Sequence, residues 1–188
     1  MIQILHKRSI ILVLSFLSIT ILNCKEPNEY QQKVTEELAK EARNDSLIFD
    51  YTFGMSKEDF FTYSWEINKQ GLVVNGSGAE IVQDVDWLKS PARRSFYPKF
   101  EKDKIIQFPM EYSYNGWAPW NDHLVSDSLE VDILENLSIE YNADFYTMMD
   151  QDSTVIYYHI DGNREIRVFI VDKTKVRVLF SDLTKVNL

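Results

Sequence analysis

Cysteine occurs once in these 188 residues, histidine three times, proline five and glycine six. Each scarcity closes off a chemistry. With Cys24 alone there is no intrachain disulfide, so an exported form of the chain must be held by its core. Past residue 23 the histidines are His123 and His159, and neither has a second histidine three or four positions away, the spacing a helical zinc site uses. The acidic turns at Asp150, Asp152 and Asp161-Gly162-Asn163 lack the full ligand spacing of a calcium loop. There is no glycine loop that would cradle a phosphate and no G-x-S-x-G elbow, since Gly76-Ser77-Gly78 falls in an expected hairpin turn. These absences lead us to expect no cofactor and no metal, and they leave no residue to assign as catalytic. Positive charge is also short: 20 Lys and Arg face 29 Asp and Glu, for a formal charge of −9. Such a balance argues against nucleic acid and equally against docking on anionic head groups. Long apolar runs are absent except at residues 10–22, which fall short of the ~20 residues a spanning helix needs.

That run has the layout of an export signal. MIQILHKRS carries two cations and no acid, and IILVLSFLSITIL follows as a short apolar segment. It ends at Ile21-Leu22-Asn23-Cys24, which resembles the lipobox of bacterial lipoproteins. The resemblance implies cleavage before Cys24, a thioether-linked diacylglycerol on its sulfur and acylation of the new N-terminus. Two or three acyl chains satisfy the two-signal requirement for stable anchoring, so the membrane is an expected partner through Cys24. Lys25, in place of the aspartate linked with inner-membrane retention, implies the outer membrane. The expected organisation is a signal peptide at 1–23, a tether at 24–28 and one domain at 29–188.

Eleven Phe, ten Tyr and four Trp supply the apolar area that a core without disulfides requires. The pattern predicts a helix over 29–43 on the outside of the domain. A second runs from Ser56, its N-cap with Asp59 at N3, to a stop at Gly71. The FGMSKEDF start of this helix resembles the G-M-S/T-K-E segment of small lipoproteins of the β-barrel assembly machinery. The strands follow: a hairpin over 72–86, an irregular stretch over 87–104 broken by Pro91 and Pro98, and a strand over 105–114 that Pro109 demotes to an edge or a bulge. A third helix starts with Asp127 as N-cap and Glu130 at N3, burying Leu129, Ile133 and Leu137. Four strands close the chain, with Ile166, Val168, Ile170 and Val176, Val178, Phe180 alternating onto one face. The expected fold class is α+β, helices packed on an antiparallel sheet, with two helix-then-meander units as a possible pseudo-repeat.

Two segments stand out as binding candidates. Trp117 and Trp120, followed by Asn121, Asp122 and His123, combine aromatic faces with amide and carboxylate groups, which suits sugar rings. The competing reading makes the two indoles a plug between the third strand and third helix, and the sequence favours it: Trp117 buried, Trp120 partly exposed. The second segment is basic: Lys89, Arg93, Arg94, Lys99, Lys102 and Lys104, interleaved with Phe96, Tyr97 and Phe100; it suits an acidic partner, a polysaccharide or lipid head groups, against the favoured reading of solvated loop charges with Phe96 and Phe100 turned inward. The expected function is that of a lipid-anchored, non-enzymatic envelope protein binding a protein or glycan partner. The alternatives are a hydrolase-like enzyme centred on Asp122 and His123, or an inhibitor that blocks a foreign hydrolase with the aromatic loop.

Overall fold

In the computed structural model, residues 28–186 are described. The expected signal peptide over 1–23, Cys24 and the expected tether up to residue 27 lie outside the described residues. Three helices, α1 (Glu29–Ala39), α2 (Lys57–Lys69) and α3 (Ser126–Glu140), accompany nine strands. The first five strands are β1 (Val74–Asn75), β2 (Ile81–Val85), β3 (Ala92–Phe96), β4 (Lys99–Glu101) and β5 (Lys104–Tyr114). The last four are β6 (Tyr146–Met149), β7 (Val155–Asp161), β8 (Arg164–Ile170) and β9 (Val176–Asp182). No described helix is long and apolar enough to cross a membrane.

All pairings are antiparallel, in the order β1-β2-β3-β5-β9-β8-β7-β6, with β4 beside β5 alone. The chain is therefore an α+β protein. Residues 57–114 run from helix α2 through strands that step inward from one edge. Residues 126–182 do the same from α3 and the other edge. The two halves meet where β5 pairs β9 at the sheet centre.

Period-two alternation sends Phe108, Met110, Tyr112 and Tyr114 of β5, Val176, Val178 and Phe180 of β9, and Ile166 and Val168 of β8 to one face. Phe60 and Ile67 of α2 and Leu129, Ile133 and Leu137 of α3 cover them. The stretch before α2 adds Leu47, Ile48, Tyr51 and Phe53. Tyr51 lies at the centre, its ring 5.1 Å from Phe60, 5.4 Å from Phe108 and 5.8 Å from Phe96, its hydroxyl 2.7 Å from Ser64 Oγ. Ile170, the last of the expected alternating residues, is only partly buried.

Three expectations are corrected. The stretch 87–104 is not irregular: β3 and β4 occupy it, and Arg93 and Arg94 hide the alternation because the inward partner of the pair is a cation. β5 is central rather than an edge. Pro109 falls between the β4 ladder (104–107) and the β3 ladder (110–114), so on that side no neighbour asks for its missing N–H. α3 begins at Ser126, with Val125 as N-cap and no side-chain cap; the Ser126 N–H donates instead to the Lys173 carbonyl at 3.1 Å. By contrast, Ser56 caps α2 as expected, accepting from the Asp59 N–H at 3.1 Å. α1 is an outer helix, as expected, and packs by one narrow stripe. Ile156, Tyr158 and Ile160 alternate onto the sheet face opposite the main core and are buried there. Val34 and Glu37 of α1 are buried with them; Lys33 Nζ stands 4.9 Å over the Tyr146 ring, and Tyr146 pairs Tyr158.

Candidate functional site: the tryptophan loop

After β5 the chain turns at Gly116, whose φ of +74° lies in the left-handed region that glycine enters freely. The loop over 115–125 is closed by its own hydrogen bonds. Asn115 N–H reaches the Pro91 carbonyl (2.9 Å), Asn121 N–H the Ala118 carbonyl (2.8 Å), and Leu124 N–H the Asn121 carbonyl (3.0 Å). The Asn121 side chain donates across the loop to the Gly116 carbonyl at 2.9 Å, so this residue holds the loop's shape while leaving its amide oxygen uncommitted.

Beneath the loop, Tyr112 and Tyr114 are buried, and the Tyr114 hydroxyl donates to Asp132 of α3. Trp117 is 41 % exposed and Trp120 81 % exposed, against the expectation that Trp117 is buried.

Trp117, Ala118, Pro119, Asn121 and Asp122 form one wall of a groove of about 550 Å³. Val125, Ser126 and Asp127 at the start of α3 and Lys173 in the β8–β9 turn form the other. The groove thus offers an indole and a proline ring, two carboxylates, an amide and an ammonium. Lys173 and Asp127 were not anticipated as part of it. They arrive through the tertiary bond from Ser126 to Lys173, which leaves no local trace in the sequence.

Glu130, one turn into α3, is half-buried. Burial, and then the negative charge of Asp127, push its carboxyl up to about 7.

His123 is exposed and is not among the residues lining the groove. An enzyme centred on Asp122 and His123 would need a carboxylate holding the imidazole inside a cleft, and His123 is held by none. Among the described residues no group of three or more His, Cys, Asp or Glu could hold a metal ion.

The two arginines of the basic segment separate because neighbours on a strand face opposite ways. Arg93 points to solvent and pairs with Asp84 (Nε–Oδ1 3.2 Å). Arg94 points into the core, 7 % exposed, donating to Gln83 Oε1 (2.7 Å) and the Tyr112 hydroxyl (2.9 Å). Its guanidinium lies 5.0 Å from the Trp87 ring centre and 5.5 Å from that of Phe49. This buried cation is structural and unavailable to a partner, which corrects its place among the binding candidates. Lys89 is likewise engaged, 3.0 Å from both Asp132 and Glu135.

No family model matches the chain, and neither a curated protein nor a solved structure does. The site must therefore be read from its own chemistry.

Proposed function

We propose that this chain is a lipid-anchored, non-enzymatic envelope protein, held at the outer membrane through Cys24, that binds a glycan with its tryptophan loop. The observation that carries the reading is the outward presentation of Trp117 and Trp120 on a loop fixed by internal hydrogen bonds. Keeping an indole in water is costly unless a partner covers it, and a loop already ordered loses little entropy on binding. Sugar rings stack C–H faces on indoles, while their hydroxyls take the carboxylates of Asp122 and Asp127, the Asn121 amide oxygen and the Lys173 ammonium. The exposed, unheld imidazole of His123 fits a binding rim better than the centre of a hydrolase.

The test is titration of the protein with soluble peptidoglycan fragments and chitooligosaccharides, followed by tryptophan fluorescence. Saturable quenching is expected. Trp120→Ala should weaken binding by more than about 2 kcal/mol, as for a tryptophan hot spot, and change stability by no more than ~0.5 kcal/mol, as for an exposed side chain. Undiminished affinity in Trp120→Ala would end the reading.

A further inference from the structure

The acidic balance of the chain hides where its uncommitted cations are. Among the described lysines, Lys40, Lys89 and Lys175 pair with carboxylates. Lys33, Lys57 and Lys69 lie over aromatic rings. Lys173 belongs to the tryptophan groove. The remaining four, Lys99, Lys102, Lys104 and Lys185, come from two distant stretches of sequence and converge at the end of the sheet where the β4–β5 hairpin meets the chain after β9.

They line two adjoining hollows of about 380 and 370 Å³, which share Glu101, Ile106 and Lys185 in their walls. Arg43 completes the cationic rim. Of the two carboxylates in these walls, Asp182 is committed. One oxygen accepts from the Thr184 N–H (3.0 Å) and hydroxyl (2.7 Å), and the other pairs with Arg43 (3.4 Å). Only Glu101 opposes the lysines from the wall, with Asp103 at the hairpin tip. That tip is rigid: Lys102 and Asp103 both have positive φ, 48° and 63°, the geometry of a tight two-residue hairpin turn. Between the cations Ile106 and Val186 supply apolar surface, while the Phe100 ring turns to the core against Phe60 and Tyr97.

We propose that this groove is a second binding site and takes the headgroup of an anionic phospholipid. Lys102, Lys104 and Lys185 hold the phosphate, and the glycerol and first methylenes lie on Ile106 and Val186. Lysines are suited to phosphate as mobile point charges, each contributing roughly fivefold in affinity near an anionic surface. The apolar surface selects a lipid over free phosphate, which would engage the cations alone. The site is independent of the tryptophan loop and stands or falls separately from it.

The experiment follows backbone amide shifts of the isotopically labelled full chain in a non-ionic detergent during titration with dihexanoyl phosphatidylglycerol. Saturable shifts confined to residues 100–106 and 184–186 are expected. Lys102→Gln with Lys185→Gln should bind roughly 25-fold more weakly, and the matching Arg pair should retain binding. A dispersed spectrum for each variant shows that it is folded. Inorganic phosphate binding as tightly as the lipid would overturn the lipid assignment, as would equal shifts with dihexanoyl phosphatidylcholine. Tighter binding of poly-glutamate at the same residues would make the groove a surface for acidic protein. Absence of shifts with the glycerol lipid would remove the site altogether.

Discussion

Replacing Glu130 with Gln should stabilise the protein in alkali and leave it unchanged in acid. The unfolded chain releases this proton near 4.5, whereas burial and Asp127 keep it on the folded protein up to about 7. Below 4.5 both states are protonated, and the carboxyl costs nothing. As pH rises toward 7 the unfolded state ionises first and gains relative to the folded one. Stability is lost across that window, and the loss stays constant above it. Each pH unit of the gap corresponds to about 1.4 kcal/mol, for an upper bound near 3.4 kcal/mol. Glu130 is only half-buried, so solvent screening reduces this to roughly 2 kcal/mol. Glutamine keeps the shape and removes the charge, and it should recover that amount. Urea titrations of parent and Glu130→Gln at about pH 4 and about pH 8.5 measure the difference directly. Equal effects at the two pH values, or a loss of stability at the higher one, would show that Glu130 ionises freely and that the α3 first turn is more open than described.

Leu137→Ala should cost about 2–5 kcal/mol in denaturant titration, because the side chain is buried between α3 and the sheet; a change below ~1 kcal/mol would mean that another face of α3 is inside. Gly162→Ala should cost about 1–3 kcal/mol by calorimetry, since φ there is +60° and a Cβ would lie 2.4 Å from the Ala42 carbonyl oxygen. Cys24→Ala should abolish metabolic labelling by a palmitate analogue and release the protein from lipid-dependent membrane fractionation. Equal label on parent and variant would dispose of the anchor.

Those parts of the fold governed by local chemistry could be read from the sequence. α2 was legible because Ser56 caps it with its own side chain and Gly71 ends it. β8 and β9 were legible because Ile166, Val168, Val176, Val178 and Phe180 recur at every second position and are all buried. What escaped was set by contacts distant in sequence. α3 is started by a carbonyl from Lys173, so its Asp127 and Glu130 gave a false register for the cap. β3 was hidden because a core position holds Arg94, whose charge is dispersed over aromatic rings and neutral acceptors rather than a carboxylate. Pro109 looked like an edge residue because the gap between two ladders on one side of β5 is a property of the assembled sheet. At the candidate site, the loop itself was visible as Trp117, Trp120, Asn121 and Asp122, but its exposure was not, because that depends on how the assembled loop lies on the domain.

The seam between β5 and β9 has a consequence for how the protein is made. Each half ends on the strand that belongs at the middle, so a nascent chain completes β5 long before its neighbour exists. Until residues 176–182 emerge, an apolar strand of eleven residues has one side without a partner. Such an edge is a template for intermolecular pairing. A ribosome stalled before residue 176, or a nonsense mutation there, therefore yields a product destined for proteolysis or aggregation rather than a half-sized binding module. Biogenesis must shelter the first half until the last strand is delivered.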